Sequence, residues 1–146
     1  MLFTPSERDA ATERVVEELK ADARIEAGVI TGSLGAGRAD RWSDIDLTAV
    51  LFEGVAMGDV VADWVARMYA AWPVVHHYVN DFEGTEVRGF LISNGLVIDL
   101  AFTSAAGFSV WAPVIHDDAR RVTPVGVRFT LPEWPTPSAA IWPKTY

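Results

Sequence analysis

The stretch from Thr31 to Val50, reading Thr-Gly-Ser-Leu-Gly-Ala-Gly-Arg-Ala-Asp-Arg-Trp-Ser-Asp-Ile-Asp-Leu-Thr-Ala-Val, sets the tightest limit on what this chain can fold into. Gly32, Gly35 and Gly37 make a flexible small-residue turn whose backbone amides can approach phosphate oxygens closely. Directly after it, Asp44-Ile45-Asp46-Leu47 alternates acid with aliphatic. In a strand, residues two apart point the same way, so Asp44 and Asp46 share one face while Ile45 and Leu47 take the other. Two carboxylates at that range raise a pKa or demand a counter-cation, and a hard ion such as Mg²⁺ satisfies both. The bland alternative is a strand edge whose acids face water, and the spacing alone is compatible with either.

The flanking periodicities place this stretch. Thr4-Pro5-Ser6-Glu7 forms a capping box with proline at the first helical position. Ala11, Val15, Val16, Leu19 and Ala23 then recur at helical spacing, which predicts an amphipathic helix of about five turns stopped near Gly28. Val29–Thr31 and Ile45–Phe52 read as strands on either side of the glycine turn. Helical spacing returns from Met57 to Trp72 and closes at Pro73. Val74–Val79, Glu86–Ile92 and Leu96–Phe102 read as three more strands, the last two joined by the tight turn Ser93-Asn94-Gly95. The order predicts an α+β (mixed α/β) fold: a mixed sheet of about five strands flanked by helices on one face.

Asp99 stands out within Gly95–Phe102. Leu96, Ile98, Leu100 and Phe102 fill one face of that strand, leaving Asp99 between Val97 and Ala101 on the other. A lone carboxylate in so apolar a segment needs a partner. Beside the Asp44 strand it becomes a third metal ligand or a general base; otherwise it pairs with a cation such as Arg88.

Composition bounds the partners. The chain has 146 residues, half of them hydrophobic, enough for one domain with a sizeable core. A net charge of −8 works against broad binding of polynucleotides, while Arg38 and Arg41 leave room for a single nucleotide. There is no cysteine, so disulfides, thiolate metal sites and cysteine nucleophiles are excluded. The N-terminus turns polar at once, with no signal-peptide or membrane-spanning segment, so a soluble cytoplasmic protein is expected. Six of the eight prolines follow Phe102, so residues 104–146 are expected to add edge strands and a Pro/Trp-rich tail to a core spanning residues 1–103.

Other motifs fail on their own chemistry. Gly32-Ser-Leu-Gly-Ala-Gly37 has P-loop glycine spacing, but Arg38 and Ala39 stand where Lys and Ser or Thr are required. The dinucleotide fingerprint lacks its third glycine. His76 and His77 are adjacent and point to opposite faces of a strand, and His116-Asp117-Asp118 reads as a polar turn. No Gly-x-Ser-x-Gly elbow accompanies a serine triad. Among the tryptophans, Trp42 beside the acids is the one suited to touch a base.

Gly32-Ser33, the ten-residue spacing to Asp44-x-Asp46, and Asp99 on a later apolar strand together resemble the nucleotidyltransferase superfamily that includes DNA polymerase beta, and within it the minimal nucleotidyltransferases and antibiotic adenylyltransferases. The resemblance spans residues 5–103. It implies that Gly32 and Ser33 contact a nucleoside triphosphate, with Arg38, Arg41 and Ser43 completing the nucleotide set. Asp44, Asp46 and Asp99 would hold two Mg²⁺ ions, Asp99 as a ligand or as the base that deprotonates the acceptor. The implied activity is transfer of AMP from ATP to a small hydroxylated, antibiotic-like molecule or a protein side chain. Antibiotic-modifying relatives carry a helical C-terminal domain, which this tail replaces, so the acceptor site is expected from a homodimer or a helical partner protein. The alternative is a catalytically silent, antitoxin-like or regulatory interaction module, anchored by Trp134, Ile141 and Trp142.

Overall fold

The computed structural model describes residues 2–31, 40–82, 84–104 and 140–143. Thr4 opens helix α1 (Pro5–Ala21) with a complete capping box. Its Oγ1 accepts from the Glu7 amide at 3.1 Å and the Glu7 carboxylate accepts from the Thr4 amide at 3.2 Å. The helix stops at Ala21 rather than near Gly28, because Asp22 leaves the helical path and takes the Arg24 amide at 3.0 Å. The chain enters strand β1 (Ile25–Thr31) directly, and Gly28 lies inside that strand opposite Ala49. The consecutive residues Ala27, Gly28, Val29 and Ile30 are all buried, the burial of a strand covered on both sides.

Strand β2 (Ile45–Leu51) follows, then helix α2 (Met57–Ala71), strands β3 (Val74–Phe82) and β4 (Thr85–Ile92), and strand β5 (Val97–Ser104). β3 extends past Val79 because Asn80, Asp81 and Phe82 continue the ladder to β4 across a turn in which Gly84 takes a φ of 82°. The turn at Ser93-Asn94-Gly95 closes the β4/β5 hairpin, with Gly95 at a φ of 88°. Strand β6 (Ala140–Pro143), from the proline-rich tail, pairs antiparallel with β1. The six strands described form one sheet in the order β3-β4-β5-β2-β1-β6, in which β2 and β5 run parallel and every other pair antiparallel.

The helices cover one face. Val15 and Leu19 of α1 and Val60, Val61, Trp64 and Met68 of α2 join Ile45, Leu47, Ile98, Leu100 and Phe102 in a single core. One anchor beneath α2 is polar: the Asp22 carboxylate accepts from Trp64 Nε1 at 2.8 Å and from Arg24 Nη2 at 2.8 Å, and Arg24 also reaches Asp63 at 2.7 Å. The alternation that sends Ile45, Leu47, Ile98 and Leu100 into this core turns Asp46, Thr48, Asp99 and Ala101 to the opposite face. No helix among the described residues is long and apolar enough to cross a membrane.

Candidate functional site

The acid-bearing face is organised by strand register. In the parallel β2/β5 pair Asp46 stands beside Asp99; across the next ladder Asp99 faces Gly89, and Gly89 faces Tyr78. Residues at matched register positions share a face, so Asp46, Asp99 and Tyr78 form a row across the sheet with only Gly89 between Asp99 and Tyr78. A second row follows two residues on: Thr48, Ala101, Val87 and Asn80. Between the two rows lies a pocket of about 170 Å³. The strand expected to bring Asp99 to the paired acids does so, and Arg88 is not its partner. That arginine binds Glu86 at 2.9 Å and Asp81 at 3.1 Å.

Electrostatics reflect the crowding of acids. Burial, then the neighbouring Asp99 charge and a hydrogen bond shared with it, push the Asp46 carboxyl up to about 7, with Asp44 adding to the effect. Burial and Asp99 also raise Asp44. A carboxylate cluster held in this way calls for a proton or a cation, and its all-oxygen donor set suits a hard divalent ion. Among the described residues no group of three or more His, Asp or Glu side chains stands as a ready-made ligand cage. The acids fit a cation as a row of donors that it would draw together.

Tyr78 was not singled out by sequence, and it completes the row. Its hydroxyl donates a short hydrogen bond to Asp99 Oδ1. To reach it the ring lies flat over Gly89, where a β-carbon would overlap the Tyr78 ring carbons and hydroxyl. Burial, followed by the bond to Asp99 and the charges of the acids, raises the phenol above its ordinary range. The available signal was Gly89 itself, a glycine in the interior of a strand, which marks close approach of another group. Thr48 was also missed. It is fully buried, lines the pocket, and its Oγ1 has no hydrogen-bond partner among the described residues.

The other expected residues divide. Gly32, Ser33 and Arg38 lie outside the described residues, as does His116-Asp117-Asp118. Ser43 closes a local turn before Asp44: its Oγ accepts from the Asp40 amide at 2.8 Å and donates to the Asp40 carboxylate at 3.1 Å. The Arg41 guanidinium donates to the Phe3 carbonyl and stands over the Trp42 ring, 4.6 Å from its centroid. Buried Arg8 donates to the Asp40 carbonyl, so α1 fixes the approach to the acids. His77 stacks on Phe90 with centroids 5.0 Å apart, while adjacent His76 pairs in register with Leu91, so the two do not share a site.

No protein-family model and no curated protein sequence gives a significant match to the chain. Solved structures do. The Cid1 poly(U) polymerase in its Mg 3′-dATP-bound form superposes with a TM-score of 0.54 at 19% identity, covering 71% of this chain and 32% of that one. A second Cid1 structure, described for its RNA terminal uridylyl transferase activity, gives a TM-score of 0.51 at 19% identity with the same coverage. The chain thus spans about a third of the length of these neighbours. Helices on one face, acids on the other and a parallel central pair carrying Asp46 and Asp99 are what this chain presents, and its fold is similar to that of the matched part of these Cid1 structures.

Proposed function

We propose that the chain is a metal-dependent nucleotidyltransferase that moves AMP from ATP to a hydroxyl of a small molecule or a protein side chain. The observation that carries this reading is the register of Asp46 beside Asp99 on the open face, two residues after Asp44, which immediately precedes β2. The likeness in fold to nucleotidyltransferases supports it. Asp44, Asp46 and Asp99 would hold Mg²⁺, two ions in the full site, which would neutralise phosphate charge and lower the barrier to in-line displacement at the α-phosphorus. Asp99 would accept the proton of the attacking hydroxyl. Gly32, Ser33, Arg38, Arg41 and Ser43 would hold the triphosphate.

The net charge of −8 favours a compact acceptor over a polynucleotide. A second copy or a helical partner would complete the acceptor side. Pairing of β6 with β1 supports reading residues 1–103 and 104–146 as core and tail of one domain. Calorimetry with each nucleoside triphosphate and Mg²⁺ tests the proposal. ATP should bind, and Asp44→Asn with Asp46→Asn should weaken binding and cut transfer by about a hundredfold or more. Absence of Mg²⁺-dependent nucleotide binding in the unaltered chain would remove the reading.

A further inference from the structure

We infer that Tyr78 is itself a nucleotide acceptor, so that the chain modifies its own Oη with a nucleoside monophosphate. The inference rests on the nucleotidyl-transfer reading above and names a hydroxyl for it. A nucleotidyl acceptor needs a hydroxyl within hydrogen-bond reach of the group that takes its proton. Tyr78 Oη already donates to Asp99, the carboxylate that stands beside Asp46.

Two further features fit an acceptor better than a structural tyrosine. The side chain stays 39% exposed while its hydroxyl reaches the acids, so a nucleotide can approach it from solvent. The pocket between the two rows is lined by both Tyr78 and Asp99.

The step balances with a nucleoside triphosphate as the sole co-reactant. A lone pair of Tyr78 Oη forms the bond to the α-phosphorus, the phenolic proton passes to the Asp99 carboxylate, and the bond from the α-phosphorus to the bridging oxygen breaks, releasing pyrophosphate. The product is a phosphodiester on Tyr78. It places a nucleotide over the acid row, so a modified chain has no room there for a second triphosphate.

Gly89 has a defined part in this arrangement. It is the residue that lets the ring cross β4, and any side chain there displaces the hydroxyl from Asp99. Gly89→Ala therefore removes the acceptor geometry while keeping the phenol.

The experiment incubates the full chain with Mg²⁺ and each nucleoside triphosphate in turn, then measures intact mass and maps the modified peptide. Expected is a mass increase of one nucleotidyl group per chain, a nucleoside monophosphate less one water, located on Tyr78. It should be absent in Tyr78→Phe and Asp99→Asn and reduced at least tenfold in Gly89→Ala. An unchanged mass, or nucleotide on any other residue, overturns the inference. Calorimetric binding of the same nucleotides is measured in parallel. Binding without an adduct removes Tyr78 as acceptor and leaves the nucleotidyltransferase reading standing, whereas no binding and no adduct remove both.

Discussion

Tyr78 and Gly89 occupy one volume between them: the tyrosine ring fills the space in which any β-carbon on residue 89 would stand. Gly89→Ala must therefore expel the ring or push β3 and β4 apart, an overpacking cost of about 1–3 kcal/mol. Shortening the partner relieves it, so the cost of Gly89→Ala should largely vanish in a Tyr78→Ala background. Chemical denaturation of the four chains of this double-mutant cycle measures the coupling. Additive effects would mean that the ring and residue 89 do not compete for space.

Asp46 makes stability depend on pH in an unusual direction. Its folded-state pKa is raised above the ordinary carboxylate value, so between about 4 and about 7 the folded chain keeps a proton that the unfolded chain has released. Stability contributed by that proton falls as pH rises through this window and is level above it. The metal-free chain should be less stable at pH 8 than at pH 5.5, by on the order of 2 kcal/mol. Asp46→Asn should abolish most of the difference and raise stability at pH 8. Melting curves in chelator at the two pH values provide the check. Added Mg²⁺ should stabilise the unaltered chain more at pH 8, where the acids are ionised.

Asp22 acts in the opposite window. Burial alone would raise its carboxyl, but hydrogen bonds from Arg24 and Trp64 outweigh burial and hold it well below the usual range. Its contribution is present above the ordinary carboxylate range and is lost as pH falls below it. Asp22→Ala should cost about 3 kcal/mol, because Arg24 and Trp64 Nε1 lose a buried partner. Trp64→Phe, which keeps the Asp22–Arg24 pair, should cost less. Urea denaturation at pH 7 ranks the two, and equal costs would show that the ion pair adds nothing beyond the indole contact.

These residues also mark how far the sequence could be read. The capping box at Thr4 and Glu7, the helical spacing of Val60, Val61, Trp64 and Met68, and the turn at Gly95 are local signals, and each formed where its chemistry called for it. The lone carboxylate at Asp99 pointed to a partner because burial of an unpaired acid is costly. Which partner it met depended on the parallel pairing of β2 with β5, a contact between segments more than a third of the chain apart that no local pattern encodes. Tyr78 was illegible for the same reason. In sequence it is one aromatic residue on an edge strand, and only the ladders through Gly89 carry it to Asp99. The end of α1 was misplaced because Gly28 is a common stop signal, whereas the side-chain bonds of Asp22 end the helix first.

Thr48 gives the last prediction. Its hydroxyl is enclosed beside the acid row with no hydrogen-bond partner among the described residues, and a buried polar group left unpaired costs about 1–3 kcal/mol. Valine has the same shape without the oxygen. Thr48→Val should therefore leave stability unchanged or raise it by about 1 kcal/mol, in contrast to the usual loss for a core substitution. The same replacement at Thr103, whose Oγ1 accepts from Thr85 at 3.0 Å, strands the Thr85 hydroxyl and should cost about 1 kcal/mol or more. Measured side by side by chemical denaturation, the two substitutions should differ in sign. A comparable loss at both positions would mean that Thr48 Oγ1 makes a bond in the folded chain as strong as that between the two threonines.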